Sequence, residues 1–357
     1  MLCCLVDVQQ GMNRTEIGSD RWNDMHLGAC IAFIVGIFYM GRHHWLTVLR
    51  NAIGRGESSL YRTSFWTAVL GTVVMLAWLL VLGVHAWVAV LAVGFILAAH
   101  LVVTRVVAET GLPWYRTSMA ASQIYTNFPA SMMSTRDVYF GSVLTILGPL
   151  TTRDAIMTTA SHGLGVTRSV GVEESQRRSV GWAVVMAIVV GLISAFCATL
   201  YCQYTWPTPT QRTDIPQRNN FGSIYIPQRD MVNPVKQFST GQFAPKAYSP
   251  AIAVGTGAGV VTALEVASLR LSWWPLLPVG FVASHGAFIE NAWFSIFIGW
   301  LAKVIIVRLG GLDLFTKARP AFVGIIFGES LAAGVWLIVN AVLVLRGFDS
   351  MPVKFLL

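Results

Sequence analysis

Charged side chains are scarce in this chain of 357 residues, of which 12% are Asp, Glu, Lys or Arg and 55% are hydrophobic. Soluble domains carry about a quarter charged residues, so this chain has too little charge to cover a surface exposed to water. The scarcity excludes an ordinary soluble fold and leaves the lipid bilayer as the solvent. The 13 tryptophans and 32 glycines fit that solvent, because membrane helices anchor through interfacial aromatics and pack through small residues.

The sequence also lacks the motifs of catalysis and of metal binding. Its five cysteines show no metal-binding spacing, and we interpret them as small buried or lipid-facing residues. No Ser-His-Asp set, HExxH, Walker motif or CxxC occurs. We therefore expect no enzyme activity, no bound metal and no cofactor.

The formal net charge of +8 does not predict binding to nucleic acid, because the basic residues lie between apolar runs rather than along one stripe. The basic clusters fall at 42–62, 105–116 and 168–178. Positively charged loops remain on the cytoplasmic side of a membrane protein. We expect a multi-pass protein of the inner (plasma) membrane, surrounded by bilayer lipids, with these loops in the cytoplasm.

The apolar segments predict an all-α fold, a polytopic transmembrane helix bundle of about eight passes. Each segment approaches the length of about 20 residues that a membrane-spanning helix needs. The predicted passes are 25–41, 64–83, 86–107, 180–203, 251–269, 275–289, 292–307 and 321–345.

Between the third and fourth passes lie two apolar segments, 138–150 and 155–166, that are too short to span alone. Gly148 and Pro149 separate them, and this pattern predicts a re-entrant helical hairpin over 138–166. Transporters build substrate sites from such broken helices, whose free backbone groups face the ligand. A loop packed on the cytoplasmic face is the alternative.

The remaining chain divides by polarity. We expect an N-terminal segment over 1–24 and a first group of membrane helices over 25–203, with a helix lying in the membrane interface at 42–56. The polar, proline-rich stretch 204–250 is expected to be an extracytoplasmic loop. Further membrane helices follow over 251–346, and 347–357 is a tail.

Ionisable residues inside apolar helices indicate a solute or ion pathway, because they are costly to insert. Glu109 ends the third pass, where Gly111 and Pro113 are expected to unwind the helix and free its carbonyl groups. Glu109 could bind a cation or a proton there. The alternative is an ion pair with Arg105, four residues earlier on the same helix face. For Glu265, pairing with Arg270 is the favoured interpretation.

Further pathway candidates lie elsewhere in the chain. Glu329 lies well inside the last apolar run and must be protonated, paired or hydrated; Lys303 is its expected partner. His285 lies in a proline-broken segment and could titrate near neutral pH in a proton-coupled cycle. His162, inside the expected hairpin, completes the set. A helix-to-helix hydrogen bond is the alternative for a lone membrane histidine.

Several strings in the chain resemble those of a known group of proteins: AETGLPW at 108–114, LSWWPLLPVGF at 271–281, WFSIFIGWLAK at 293–303, and RPAFVGIIFGE at 319–329. They resemble the C-terminal half of bacterial membrane proteins with domains of unknown function, which look related to the oligopeptide transporter (OPT) superfamily. Leu277 stands where a histidine would be expected in the second string, and the signatures of the eukaryotic peptide carriers are absent.

The resemblance implies a secondary membrane transporter of the OPT-like type, or the C-terminal half of one, for a peptide or metal-chelate-like solute. Such carriers are usually driven by protons and are built from two related halves. The expected partner is therefore a second half-transporter chain or another copy of this chain. The alternative is a non-transporting integral membrane subunit that scaffolds a larger complex.

Overall fold

The computed structural model describes residues 17–54, 59–112, 115–148, 151–152, 155–169, 177–205, 231–242, 246, 248–284 and 287–346. Within these ranges the regular secondary structure is helical, and β pairing is limited to an isolated antiparallel bridge between Arg116 and Thr151. The chain divides into two compact units, residues 1–285 and residues 286–357.

Six helices in the described ranges are long and apolar enough to cross a membrane: Arg21–Met40, Tyr61–Val81, Ala86–Thr110, Gly181–Tyr201, Pro250–Arg270 and Ala292–Leu343. The chain is therefore an all-α membrane protein, as the composition predicts. The first five of these helices coincide with predicted passes.

The first unit begins with four helices: α1 (Ile17–Met40), α2 (Arg42–Ala52), α3 (Ser59–Val81) and α4 (Ala86–Thr110). α1 starts before the apolar run does, so residues 17–24, predicted to be a separate N-terminal segment, are helical. α2 is the amphipathic helix predicted over 42–56, with exposed Leu46 and Leu49 beside exposed Arg42 and Arg50. Residues 55–58 lie outside the described ranges.

Shorter helices follow: α5 (Ser122–Asn127), α6 (Thr135–Leu147) and α7 (Ile156–Ser169), before the long α8 (Arg177–Thr205). α6 and α7 have 13 and 14 residues. At 1.5 Å per residue each is about 20 Å long, which is less than the bilayer core of about 30 Å. The prediction of two half-length segments over 138–166 is thus confirmed.

The predicted loop over 204–250 is largely outside the described ranges. These resume at residue 231 and include the helix α9 (Asn233–Ser239). α10 (Pro250–Arg270) and α11 (Pro278–Ala283) complete the first unit. The pass predicted at 275–289 is wrong at its start, because residues 275–277 are not helical, and the helix α11 that follows has only six residues. Pro275 and Pro278 lack the N–H groups that a continuous helix would need there.

Glycines bring α1 and α10 into close contact. A side chain at Gly28 would lie 1.9 Å from the backbone oxygen of Val254, and one at Gly257 would lie 1.8 Å from that of Met25. Further along, Gly36 faces Glu265. Since the contact moves from Gly28 and Val254 to Gly36 and Glu265, it advances along both helices, and α1 and α10 run parallel. The buried core next to this contact is formed by α1 and α4, with Tyr115 and Met119 from the segment after α4.

The chain after α4 runs back along α1 without forming a long helix. α4 ends where Gly111 adopts a left-handed backbone conformation (φ 69°). Residues 115–120 then lie beside the middle of α1, where Thr117 contacts Cys30 and Ser118 contacts His26. The helix α5 reaches the start of α1, where Asn127 contacts Asp24.

The next segment, from α6 to α7, runs along α4. At its start Asp137 accepts hydrogen bonds from His85, the residue that precedes α4. Near its end the hydroxyls of Thr158 and Thr104 are 3.0 Å apart. Between Asp137 and Thr158 its contacts therefore advance along most of α4. Between α6 and α7, the Thr152 N–H donates to the carbonyl of Tyr115.

The second unit is one helical element, α12 (Ala287–Leu345), broken at Gly311 by non-helical torsion angles (φ 64°, ψ −163°). The two passes predicted at 292–307 and 321–345 lie on either side of this break. The stretch between them, which belongs to neither predicted pass, is helical except at Gly311. Pro320 is accommodated inside the second half.

Candidate functional site

The C-terminal ends of α1, α4 and α10 enclose a cavity of about 150 Å³. Its walls are largely apolar. The polar groups reaching it include Arg105 and Glu109 from α4, and Glu265 and Ser268 from α10. The apolar residues are Phe33, Tyr39, Met40, Leu269, Leu277 and Pro278. A concave, mostly apolar site with a few polar groups is the usual form of a small-ligand site.

Glu109 occupies the last turn of α4, and its carboxylate lies 2.5 Å from the Arg105 guanidinium. The ion pair considered from the sequence is therefore present. The predicted helix end is also present, because Gly111 caps α4 and donates its N–H to Val107 at 2.8 Å. Pro113, named with them, lies outside the described residues. Glu109 is therefore paired, and it also lines the cavity.

Glu265 differs from its sequence-based interpretation. Its side chain makes no ion pair with Arg270, and its Oε1 atom is buried without a hydrogen-bond partner among the described residues. That oxygen packs against α1, where an added side chain at Gly36 would lie 2.1 Å from it. The pairing predicted with Arg270 is wrong because the carboxylate turns toward Gly36 and the cavity instead.

His26 joins α1 to the helix α11 and to the irregular segment after α4. Its Nε2 lies 2.8 Å from the backbone oxygen of Val282, so this nitrogen carries the proton and donates. Its Nδ1 then accepts from the Ser118 hydroxyl at 2.6 Å. Tyr115, whose hydroxyl is 3.3 Å from Nε2, and Cys30 complete a buried cluster. These hydrogen bonds therefore hold the unwound segment after α4 against the middle of α1.

A second polar cluster lies at the start of α1. The Asp24 carboxylate is fully buried and accepts from Lys246 Nζ at 2.6 Å and from the Tyr248 hydroxyl at 2.7 Å. The Lys246 ammonium also donates to the Asn127 side chain at 2.7 Å. These contacts tie α1 to α5 and to the segment that precedes α10. A buried ion pair with this many partners has its desolvation cost offset by hydrogen bonds.

A third contact fixes the turn between α3 and α4. Asp137 caps its own helix through Ser134 and accepts from the His85 backbone at 2.9 Å and from its ring at 2.6 Å. Burial raises the pKa of Asp137, but the hydrogen bonds from Ser134 and His85 outweigh it and hold the pKa below its ordinary value of 3.8. This carboxylate holds the turn between α3 and α4 in place and lies outside the six candidate spans.

The remaining predicted pathway residues are His162, His285, Lys303 and Glu329. His162 is exposed on α7, and His285 lies outside the described residues. Lys303 lies 5.7 Å from the Phe315 ring centroid within α12. No ion pair links it to Glu329, although both residues are described, so the expected partnership is not present. Within the described part of the chain, no group of three metal-binding side chains occurs.

Sequence reasoning missed the groups with the most contacts. Asp24 and His26 lie at the polar start of a short apolar run, where a solvated end is the ordinary interpretation. Lys246 is 222 positions from Asp24, and Val282 is 256 positions from His26. Isolated polar residues at the ends of a span are the available signal, but their partners cannot be read from one sequence.

Comparisons with known proteins place the chain in a family. Neither a search of curated proteins nor a search of solved structures gave a match. Residues 5–352 match the family model described as "Family of unknown function (DUF6785)". The match covers nearly the whole chain, and the chain therefore belongs to that family.

Proposed function

We propose that this chain is a secondary membrane transporter, or one part of such a carrier, with its solute site at the cavity between α1, α4 and α10. The observation that carries the proposal is unwound backbone among the helices of the first unit. Residues 271–277 are not helical, and Leu277 lines the cavity. The unwound segments 115–118 and 151–152 lie side by side next to the middle of α1, joined by the bridge between Arg116 and Thr151.

Unwound backbone inside a helical membrane protein supports transport for a physical reason. Free backbone groups cannot face lipid, so they occur at membrane depth only where protein or a water-filled cavity surrounds them. Carriers place such broken helices at their substrate sites. In this chain Cys30 and His26, which contact residues 117 and 118, lie within the candidate span Arg21–Met40.

The proposed topology follows from the contacts along α1 and α4. We infer that the described residues between Gly111 and Asn127 belong to one broken crossing, and that α6 and α7 belong to a second one in the opposite direction. This path differs from the re-entrant hairpin expected over 138–166, in which both ends return to one side. The two crossings still leave the basic clusters at 42–62 and 168–178, and Arg105 of the third cluster, on a common side, which we assign to the cytoplasm. Arg116 lies within the first of the two crossings.

A transport assay tests the proposal. Proteoliposomes that contain the purified chain receive trialanine or ferric citrate outside. Uptake is measured with and without an inwardly directed proton gradient, in which the outside is the more acidic side. We expect solute to accumulate above the level of protein-free vesicles, and more when the gradient drives uptake. Glu265→Gln and Glu109→Gln should reduce the initial rate, whereas the exposed Asp313→Asn on α12 serves as the matched control.

The alternative, a non-transporting subunit that scaffolds a larger complex, makes a different prediction. It requires no water access to the cavity and predicts co-purification with a partner at fixed stoichiometry. Uptake by the isolated chain that disappears in Glu265→Gln would exclude it. An inert isolated chain that purifies with a constant partner would exclude transport by this chain alone.

A further inference from the structure

The cavity holds one carboxyl group without an ion-pair partner among the described residues. Arg105 and Glu109 neutralise each other across 2.5 Å. Glu265 has no ion pair in the described part of the chain, and its Oε1 is buried without a hydrogen bond. An ionised carboxylate in an apolar site must gain a cation or be neutralised, because the unpaired charge is costly.

The backbone of α1 makes room for this carboxylate. Gly36 has no side chain, and a methyl group there would overlap Glu265 Oε1 at 2.1 Å and Oε2 at 2.7 Å. The Ser268 hydroxyl donates to the backbone oxygen of Glu265 at 2.9 Å and does not neutralise the carboxylate. The glycine therefore permits an arrangement in which the charge faces the cavity without an internal partner.

The walls select the kind of cation. A bare metal ion needs several oxygen ligands, whereas the remaining wall is formed largely by side chains such as Phe33, Leu269 and Leu277. An alkylammonium ion fits better, because its charged end would meet the carboxylate and its hydrocarbon end would meet the apolar wall. The volume of about 150 Å³ equals about five waters at roughly 30 Å³ each.

We propose that this cavity binds a small primary alkylammonium group, with Glu265 as the counter-ion and the Arg105–Glu109 pair as a neutral part of the wall. The inference deepens the proposed function and rests on it, since it assigns the chemical class of the solute, or of one end of it. Binding is nevertheless measurable without transport, so the two proposals fail separately.

The binding test uses n-butylammonium and its neutral counterpart 1-butanol with the purified full chain in detergent, followed by isothermal titration calorimetry at pH 7. We expect n-butylammonium to bind and 1-butanol to bind at least about tenfold more weakly, because the charged contact is lost. Glu265→Gln should weaken n-butylammonium by a similar factor and leave 1-butanol unchanged. Equal binding of both compounds, or no loss in Glu265→Gln, would overturn the proposal.

Two further variants distinguish the site from a general loss of folding. Gly36→Ala should weaken n-butylammonium binding because the methyl group displaces the carboxylate. Gly94→Ala on α4 is the matched control, since no atom lies within 4 Å of its added methyl group. Equal affinities in the two variants would contradict a site at Glu265, and the thermal transition of each variant reports whether it is folded.

Charge changes in the wall should act in opposite directions. Arg105→Gln leaves two carboxylates in the cavity and should tighten n-butylammonium binding. Glu109→Gln frees the Arg105 guanidinium, which repels the cation and competes for Glu265, so binding should weaken. Shifts of the same sign in both variants would contradict the assigned charge balance. Ammonium binding without solute uptake would overturn transport alone, and uptake without ammonium binding would overturn the assigned solute class alone.

Discussion

Asp24 and Glu265 are both carboxylates within apolar helices, yet their surroundings differ. Asp24 is held by Lys246 and Tyr248. Glu265 has a buried oxygen without a partner among the described residues. A satisfied buried charge stabilises one arrangement of the chain, whereas an unsatisfied one favours a ligand. We therefore assign the first to structure and the second to binding.

The Asp24–Lys246 pair should behave as a coupled unit. Asp24→Asn and Lys246→Met each leave the other charge buried without its counter-ion, so each should lower the free energy of unfolding by about 3 kcal/mol. The double variant should lose clearly less than the sum of the two. Unfolding in mixed detergent and SDS micelles measures all four chains. Strictly additive losses would show that the two charges do not interact.

Asp137 should make stability depend on pH at the acid end. Its pKa is lowered below 3.8 in the folded chain by Ser134 and His85. A lowered carboxyl pKa contributes stability that is present above the ordinary value and is lost as the pH falls through the lowered one. Asp137→Asn should be less stable than the native chain by about 1 kcal/mol at pH 7.

The difference between native and Asp137→Asn chains should shrink toward pH 2.5, below about the ordinary carboxyl pKa. Thermal transitions of the two chains at both pH values provide the measurement. A gap that keeps its size at low pH would mean that the carboxylate charge is not the source of the stability.

Among the helices, the parallel contact between α1 and α10 depends on single glycines rather than on the whole Gly255-Thr-Gly-Ala-Gly259 string. A methyl group at Gly257 would lie 1.8 Å from the Met25 carbonyl oxygen, whereas none of the atoms around Gly255 lies within 4 Å of one. Gly257→Ala should therefore be strongly destabilising. Gly255→Ala should be neutral or stabilising by up to about 1 kcal/mol, because alanine favours the helix.

Chemical unfolding of the Gly257→Ala and Gly255→Ala chains tests this contact. Equal stabilities would show that α1 and α10 do not approach at Gly257. Sequence could not show which glycine forms the contact, because all three share one apolar helix.

Helix positions were predictable where composition alone determines them. The apolar runs that became α3, α4, α8 and α10 need only length and hydrophobicity to be recognised. Gly111 correctly predicted the end of α4, and the gap around Gly148 predicted two half-length helices. Where α6 and α7 pack was not predictable, because it depends on tertiary contacts such as Asp137 with His85, which lie 52 positions apart.

At the scale of the whole molecule, irregular segments are concentrated in the first unit. The unwound residues 115–118 and 151–152 pair beside α1, and residues 271–277 lead into α11, whose Val282 accepts from His26. The second unit, by contrast, is one helical element with a break at Gly311. The cavity residues were predictable only in part. Glu109 was named as a pathway candidate, whereas Glu265 was expected to pair with Arg270.

Water access to the cavity tests the central claim, a polar binding site inside the membrane helices, most directly. In a variant without its native cysteines, Ser268→Cys places a thiol in the cavity wall, and Val189→Cys places one on the exposed apolar surface of α8. Modification by a small methanethiosulfonate ammonium reagent is measured on both in membranes. We predict rapid modification at position 268, slowed by n-butylammonium, and none at 189. An unreactive thiol at 268 in a folded chain would contradict the claim.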